Sequence, residues 1–390
     1  MPWREVSTMD QRREFVQLAK REGSNRRELC RRFGISTKTG YKWLARWQSG
    51  DAALGDLSRR PHASPERTGP EIQRRILEVR DGHPAWGARK IAACLARTGV
   101  SPPATSTVHE VLRRNGRIVP PVGGAAATER FEKEAPNQLW QMDFKGWVTL
   151  TDATRCHPLT VVDDHSRYLL CLRACADQQS GTVRQHLEAT FRRLGLPDAM
   201  FVDNGSPWGG GPGERWTRFG VWLLKLGVAV LHSRPYHPQS RGKNERLHRT
   251  LNAEVLSMRR FRDFAQAQGA FDAWRDVYNM ERPHEALAQE VPASRYEASK
   301  RSMPDRLTEP EYDVGDIVRR VSTTKAYVQF KGQLWPVGQA FFGERVAIRP
   351  RGKDGQYGIF YGAYRIGGID LAQPRSVTYV SEQVSTMSPD

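Results

Sequence analysis

Residues 234–246 read Arg-Pro-Tyr-His-Pro-Gln-Ser-Arg-Gly-Lys-Asn-Glu-Arg and lead into a long amphipathic segment. Across residues 240–258, apolar side chains recur at intervals of four, at Leu247, Leu251 and Val255. This spacing predicts a helix that turns one face toward a protein core. The helix carries Glu245 near its start, among basic residues.

The residues that precede this helix predict the other elements of the same domain. Short apolar runs bounded by turn residues predict strands at 138–146, 157–164, 168–174, 199–205 and 228–232. Helical periodicity follows the third strand at 180–194 and the fourth strand at 216–226. The order of three strands, helix, strand, helix, strand and helix predicts a mixed α/β domain, which we expect over residues 137–298.

Acidic residues occur on three of these elements: Asp143 in the first strand, Asp203 at the end of the fourth and Glu245 in the late helix. Carboxylates that converge from several elements are typical ligands of Mg²⁺ or Mn²⁺. Two such ions about 3.5–4 Å apart activate a water or a 3′-hydroxyl and stabilise the leaving oxygen. The alternatives are a satisfied buried carboxylate at Asp143 and an ordinary turn residue at Asp203. A zinc site is disfavoured, since His165 and His248 lack an accompanying Cys/His set.

The first third of the chain predicts two helix-turn-helix units, at residues 1–49 and 69–117. In the first unit, Asn25 and Ser36 are candidate helix N-caps, and Gly34 lies in the tight turn that this motif favours. A small three-helix bundle without groove contact is the alternative for this unit.

The last helix of each unit begins with short polar and basic side chains, which suit a helix lying in the major groove. In the second unit, Thr105 or Ser106 is the expected N-cap of this helix. The candidate DNA-contacting residues are Ser36, Thr37, Lys38, Thr39 and Lys42 in the first unit and Thr105, Ser106, His109, Arg113 and Arg114 in the second.

Segments rich in Gly, Pro, Ser or charge separate the predicted domains. Residues 50–68 form a basic linker in which Arg59 and Arg60 are candidates for entry into a minor groove. A solvated linker is the equal alternative there. The further predicted linkers are 118–136 and 299–311, and residues 377–390 form a polar tail.

Residues 312–376 change to short alternating runs separated by turn residues. Five or six such runs predict the strands of a small β-barrel. The barrel binds DNA or a partner subunit in one interpretation and is a structural cap in the other.

The chain has 390 residues and a formal net charge of +17, and most of the basic excess lies in the first third. A polyanion is therefore the expected partner. With 38% hydrophobic residues the composition is globular, and no apolar run is long enough to span a membrane. The first residues lack the apolar core of a secretory signal, and the five cysteines show no CxxC spacing. We expect reduced thiols and a cytoplasmic location.

Four stretches carry a resemblance to a known family. They are Trp-Gln-Met-Asp at 140–143, Val-Val-Asp-Asp-His-Ser-Arg at 161–167, Val-Asp-Asn-Gly at 202–205 and the string at 234–246. They resemble the core of the retroviral-integrase superfamily, and the combined pattern closely resembles bacterial transposases of the insertion-sequence 481 family. The resemblance covers nearly the whole chain. It implies N-terminal helix-turn-helix units, an RNase H-like mixed α/β catalytic core and a small C-terminal β-barrel.

The resemblance implies an Asp-Asp-Glu triad formed by Asp143, Asp203 and Glu245, which binds the metal. Asp163 and Asp164 lie off the triad and are expected to form a hairpin turn. The residues expected to contact DNA near the triad are Asn204, Arg241, Lys243, Arg246 and Arg249.

The implied activity is that of a DNA transposase that binds the terminal inverted repeats of an insertion sequence. Two Mg²⁺ ions per active site, with Mn²⁺ as a substitute, would support hydrolysis that frees a 3′-hydroxyl at each end. That hydroxyl would attack target DNA by transesterification, without a covalent protein–DNA intermediate. Joining two ends implies a homodimer or higher homo-oligomer on double-stranded DNA, at the nucleoid in the bacterial cytoplasm.

Two other classes of protein share parts of this pattern. One is a sequence-specific repressor whose core is inactive, against which the intact acidic trio argues. The other is an RNase H-like nuclease that cuts without joining, which the tandem DNA-binding units disfavour. A serine or tyrosine recombinase is disfavoured because the sequence shows no nucleophile motif with its arginine set.

Overall fold

The computed structural model describes residues 7–58, 68–118, 132–209, 216–232 and 242–372. The chain divides into two compact units, Met1–Arg67 and Thr68–Asp390, each with hydrophobic clusters of its own. The predicted DNA contacts Arg59, Arg60 and Arg241 lie outside the described residues.

The first unit is a bundle of three helices: α1 (Thr8–Ala19), α2 (Arg26–Arg32) and α3 (Thr37–Gln48). The side chains of Asn25 and Ser36 accept hydrogen bonds from backbone N–H groups in the first turns of α2 and α3, which confirms both predicted caps. Gly34, at φ +61°, makes the turn between these helices in a backbone conformation that favours glycine. The buried core residues are Phe15, Val16, Ala19, Cys30, Trp43, Leu44 and Leu54.

A second three-helix bundle opens the larger unit, with α4 (Pro70–Gly82), α5 (Ala88–Arg97) and α6 (Thr105–Arg114). The prediction that Thr105 or Ser106 caps the last helix is wrong. Ala104 is the N-cap and makes no side-chain cap bond, while both hydroxyl residues lie in the first helical turn. The extended backbone imposed by Pro102 and Pro103 stops at Ala104, so the helix begins at Thr105.

A six-stranded sheet forms the centre of the larger unit, as the strand–helix order predicts. Its strands are β1 (Trp140–Phe144), β2 (Val148–Thr149), β3 (Arg155–Asp163), β4 (Leu169–Cys175), β5 (Ala199–Val202) and β6 (Ala229–His232). β4 and the short β2 both pair with β3, which is antiparallel to β1. β1 is parallel to β5, and β5 is parallel to β6.

Helices cover both faces of this sheet. α7 (Ser180–Leu194) and α8 (Arg218–Lys225) share one hydrophobic cluster with Trp140 and Met142 of β1. α9 (Gly242–Leu251) and α10 (Phe264–Met280) form a second cluster on the opposite face. Because side chains alternate along a strand, Gln141 and Asp143 of β1 point toward the opposite face, which α9 covers.

The described part of the helix predicted over 240–258 ends earlier than expected. α9 ends at Leu251 and continues as one π-helical turn, Asn252–Leu256. The predicted core face is confirmed, since Leu247, Leu251 and Val255 are all buried. No helix in the described ranges is long and apolar enough to cross a membrane.

The second bundle is attached to the C-terminal end of α10. The Arg97 guanidinium donates to the carbonyls of Glu281 (2.8 Å) and Met280 (3.1 Å). The last carbonyls of a helix have no partners within the helix, and a cation is favourable there. Val277 of α10 packs against the apolar core of the bundle, and Arg89 forms an ion pair with Glu285 at 2.8 Å.

The segment after residue 298 closes one edge of the core. Gly195, between α7 and β5, lies against this segment at φ +76°. There is no room for a side chain at Gly195, since a Cβ there would lie 2.4 Å from the carbonyl oxygen of Ser299. The Arg301 guanidinium donates to the carbonyls of Pro197 (2.8 Å) and Gly227 (2.6 Å), and so joins the loops that precede β5 and β6.

Over residues 312–372, the structure contains the predicted short strands but not the predicted small β-barrel. The strands are β7 (Ile317–Arg320), β8 (Tyr327–Phe330), β9 (Gln333–Pro336), β10 (Arg345–Pro350), β11 (Gln356–Tyr361) and β12 (Tyr364–Asp370). Among the described residues they form an open four-stranded sheet, β12-β11-β10-β7, and a separate β8-β9 hairpin. The sheet stays open because its outer strands, β7 and β12, do not pair with each other. It contacts α8 through an ion pair between Lys225 and Glu344 at 2.7 Å.

Replacing Gly195 with alanine is expected to destabilise the larger unit by about 3 kcal/mol or more, through backbone strain and overlap with the Ser299 carbonyl. The measurement is the urea midpoint followed by tryptophan fluorescence. Gly181→Ala, in open space within α7, is the control and is expected to stabilise by up to about 1 kcal/mol. Equal midpoints for the two variants would contradict the prediction.

Candidate functional site

Asp143 and Asp203 lie side by side at the carboxyl ends of two neighbouring parallel strands. Trp140 and Gln141 of β1 pair with Met200 and Phe201 of β5. Continuing this register by two positions places Asp143 opposite Asp203. Neighbouring strands are about 4.8 Å apart, so the structure brings the first two predicted acids to the same edge of the sheet.

A tight turn holds Asp203 just beyond the end of β5. Its Oδ1 accepts a hydrogen bond from the Gly205 backbone N–H at 3.0 Å, the pattern of an Asx turn. Its carbonyl oxygen lies 3.0 Å from Nδ1 of His232, the last residue of β6. The carboxyl group of Asp203 is therefore oriented by its own turn and its backbone by the adjacent strand.

Helix α9, which carries Glu245, is joined through His248 to the end of β1 at which Asp143 lies. Thr160 of β3 pairs with Asp143, and its hydroxyl donates to the Asp143 carbonyl at 2.9 Å. The same hydroxyl oxygen lies 2.8 Å from Nε2 of His248. Since the hydroxyl proton goes to Asp143, the imidazole is the donor and carries its proton on Nε2. Burial lowers the pKa of His248 to about 4, so the ring is neutral at pH 7.

Glu245 precedes His248 by three positions and therefore lies on the same side of α9, one turn earlier. The His248–Thr160 contact thus joins the helix that carries Glu245 to the residue that pairs with Asp143. The Glu245 side chain is exposed, while Asp143 and Asp203 are half-buried.

The three acids supply only oxygen donors, which hard divalent cations such as Mg²⁺ prefer. Asp143 and Asp203 fit such an ion because they lie level on adjacent strands. Within the described ranges, however, no three Asp, Glu, His or Cys side chains are grouped closely enough to hold a metal ion.

Asp163 has the expected role in the turn between β3 and β4. Its Oδ1 accepts from the N–H and the hydroxyl of Ser166, both at 2.7 Å, and its Oδ2 accepts from the Asn137 N–H at 2.8 Å. Burial raises the pKa of this carboxyl group. Its hydrogen bonds thus stay within the hairpin and the chain entering β1.

Asp164, the next residue, has different partners. Its Oδ1 lies 2.6 Å from Nζ of Lys243 in α9 and accepts from Nε2 of Gln141 in β1 at 2.7 Å. Its Oδ2 accepts from the Lys133 N–H at 2.8 Å. This role of Asp164 was not predicted from the sequence, and Gln141 was not among the predicted site residues. The available signal was a polar amide two positions before Asp143 in an otherwise apolar strand.

The predicted phosphate contacts near the triad differ in their surroundings. Lys243 forms the internal ion pair with Asp164, its side chain is 15% exposed, and burial lowers its pKa to about 8. Arg246 and Arg249 are exposed on α9, and Asn204 is exposed after Asp203. Exposed cationic side chains beside the acids suit a backbone phosphate.

In the first unit, the predicted contacts lie on the first turns of α3. Ser36, Thr37, Lys38 and Lys42 are exposed, and Thr39 is half-buried. The Ser36 hydroxyl is occupied as the helix cap. Tyr41, 50% exposed, extends this surface and was not among the predicted contacts.

In the second bundle, Thr105, Ser106 and His109 line a cleft of about 430 Å³ together with the start of α5 and residues of the core. Lys90 of α5 borders the cleft, and burial lowers its pKa to about 8. The core contributes Glu285 and Gln289. Arg113 and Arg114 lie outside the cleft and pair with Glu110 on the helix surface, at 2.8 and 3.6 Å.

Family profiles match segments that together cover most of the chain. Residues 133–238 and 226–292 match an integrase core domain, and residues 316–376 match the C-terminal domain of IS481 family transposases. Residues 11–62 match a helix-turn-helix domain and residues 39–112 a homeodomain-like domain. The two integrase-core matches together span residues 133–292. These matches confirm the predicted resemblance, the helix-turn-helix units and the integrase-type core.

Two proteins of bacterial insertion elements are similar to this chain. An uncharacterized 31.7 kDa protein of IS407 from Burkholderia multivorans is 26% identical over 255 residues, 62% of this chain and 86% of that protein. An uncharacterized 39.2 kDa protein of IS476 from Xanthomonas euvesicatoria is 25% identical over 242 residues, 59% of this chain and 66% of that protein.

A solved structure is also similar, at a low level. It is the simian T-cell lymphotropic virus intasome in complex with the PP2A regulatory subunit B56 gamma, with a TM-score of 0.40 and 14% identity. The likeness covers 78% of this chain and 98% of the matched chain.

The buried imidazole of His248 predicts a loss of stability in acid. Its pKa is about 4 when folded and about 6.5 when unfolded, so the unfolded chain binds more protons between these values. The stabilising effect is complete above pH 6.5 and is lost as the pH falls toward 4. His248→Gln is expected to reduce the loss of unfolding free energy between pH 7 and pH 4.5 by about 2–3 kcal/mol, measured by urea unfolding.

The control is His109→Gln on the exposed surface of α6, which is expected to leave the acid sensitivity unchanged. His284, whose pKa burial lowers to about 3, acts in the same direction and keeps some acid sensitivity in both variants. Identical pH dependence in His248→Gln and the wild type would show that the neutral imidazole is not one of its sources.

Proposed function

We propose that the protein is a DNA transposase that cleaves the ends of an insertion sequence and joins them to target DNA. The observation that carries the proposal is the level placement of Asp143 and Asp203 on β1 and β5, with Glu245 on a helix bound to the same strand end. The integrase-core and IS481-type matches support the same conclusion.

Asp143, Asp203 and Glu245 would hold Mg²⁺, or Mn²⁺ in its place, and two such ions are expected per site. When bound, the metal makes a water or hydroxyl more nucleophilic and stabilises the leaving oxygen. Arg246 and Arg249 would bind the flanking phosphates, since both are exposed on the helix that carries Glu245.

The reaction has two steps of the same kind. In the first, water attacks the phosphorus at each element end, the P–O3′ bond breaks, and a 3′-hydroxyl is freed. In the second, this hydroxyl attacks a target phosphodiester, a new P–O3′ bond forms, and the target strand leaves with its own 3′-hydroxyl. No protein side chain becomes covalently attached to DNA. Because two ends must be joined together, we expect a homodimer or larger homo-oligomer on DNA.

The helix-turn-helix units would bind the terminal inverted repeats. The second bundle makes direct contacts with the core through Arg97 and Val277. We therefore propose that it holds the end DNA at a fixed distance from the three acids.

Asp203→Asn, Asp143→Asn and Glu245→Gln are each expected to lower cleavage and strand transfer by about 10³-fold, since each removes a metal-binding charge. The measurement uses purified protein, Mg²⁺, labelled end DNA and a plasmid target. End binding in a gel-shift assay is the control and is expected to stay within about two-fold. Cleavage without joined products in the wild type would instead support a nuclease. End binding without either reaction, in Mn²⁺ and with paired ends as well, would support a repressor.

The fixed bundle predicts a spacing rule for the DNA. Inserting about five base pairs between the footprint of the second bundle and the cleaved phosphate turns that phosphate by half a helical turn and is expected to abolish cleavage. The same insertion on the far side of this footprint is the control. Cleavage is followed on labelled end DNA, and binding by footprinting. Equal cleavage of both substrates would mean that the bundle leaves its position on the core during the reaction.

A further inference from the structure

Asp164 is a buried carboxylate that the proposed reaction does not use. It has no exposed surface, and its Oδ1 binds two side chains from different elements. One is Lys243 of α9 at 2.6 Å, and the other is Gln141 of β1 at 2.7 Å. The hairpin that carries Asp164 is therefore joined to both a strand and a helix of the candidate site.

The positions of these partners relate Asp164 to the acids. Gln141 lies two residues before Asp143 on β1, so both side chains leave the same face of the strand. Lys243 lies two residues before Glu245 at the start of α9. A single carboxylate thus links the element that carries the first acid to the element that carries the third.

The chemistry of this cluster argues against a role in stability alone. A buried ion pair contributes little net stability, because the loss of hydration offsets the attraction between the charges. Gln141 is 2% exposed, and within the described residues its Oε1 has no hydrogen-bond partner. Burying an unpaired amide oxygen is costly, and an apolar side chain would avoid that cost. Specific geometry is the use of such groups that is best attested.

We propose that Asp164 is a positioning residue that sets the distance between Asp143 and Glu245 by joining β1 to the start of α9. The inference rests on the proposed function. It adds a role for a fully buried residue, which would position the acids without binding DNA or metal itself. The second link between α9 and β1, through His248 and Thr160, lies one turn further along the helix. The start of α9, where Glu245 lies, depends on Asp164.

The test measures metal binding separately from activity. Mn²⁺ is titrated into the full-length protein, and the free ion is followed by electron paramagnetic resonance. Asp164→Asn is expected to weaken Mn²⁺ binding by about 10-fold and to slow strand transfer by about 10- to 100-fold, the range typical of residues that orient metal ligands. End-DNA binding is expected to stay within about two-fold, so the loss falls on kcat and not on KM.

Asp163→Asn is the matched control. Asp163 is the adjacent residue, is equally buried, and loses the same charge. Among the described residues, however, its carboxyl group binds Ser166 and Asn137 and no residue of α9. Its Mn²⁺ affinity is expected to stay within about two-fold of the wild type, even where its thermal stability falls. Equal weakening in the two variants would overturn the proposal in favour of a general effect of a buried charge. Wild-type Mn²⁺ affinity in Asp164→Asn would overturn it as well.

Gln141→Met provides a second test in case Asp164→Asn does not fold. It removes one link and leaves the ion pair with Lys243 in place, and about 3-fold weaker Mn²⁺ binding is expected. Unchanged Mn²⁺ affinity in a folded Gln141→Met would overturn the proposal. Failure of the proposed function can be distinguished from failure of this inference by the variant Asp203→Asn. If the proposed function is wrong, Asp203→Asn leaves Mn²⁺ binding and strand transfer as they are in the wild type.

Discussion

Parallel pairing between β1 and β5 is the constraint on which the candidate site depends. A shift of one residue in this register would separate Asp143 from Asp203 and turn one carboxylate to the opposite face of the sheet. The register is fixed by side chains on that opposite face, since Trp140 and Met142 pack into the cluster built by α7 and α8. The apolar core on one face of the sheet therefore determines the position of the acids on the other.

The helix that carries Glu245 is held in place by groups that are not acids of the triad. His248 and Lys243 each bind a residue of the sheet or of its hairpin, and each does so with its pKa lowered by burial. Both contacts are polar and directional, so they fix the orientation of α9 about its own axis. Apolar packing of Leu247 and Leu251 alone would allow more freedom.

The strands and helices of the core could be predicted because their apolar runs and periodicities are local signals. The end of α9 could not, since apolar residues four apart at Leu251 and Val255 fit an α-helix and a π-turn equally well. The open sheet at the end of the chain has the same strand pattern as a barrel, and closure depends on whether β7 and β12 meet.

The acids of the candidate site were visible in the sequence because they interrupt apolar or basic motifs. The role of Asp164 was not, since its partners Gln141 and Lys243 lie 23 and 79 positions away. Only the folded chain shows that these three residues share one hydrogen-bonded cluster.

The contacts of Arg301 affect where the chain can be cut to obtain a fragment that contains the core. Its guanidinium binds carbonyls in the loops that precede β5 and β6, at Pro197 and Gly227, although it lies after the segment that completes the integrase-type sequence pattern. A fragment that stopped at residue 298 would keep all three acids yet leave these loops without their shared donor. The folded core is in this sense longer than the catalytic motif, because it includes the donor groups of Arg301.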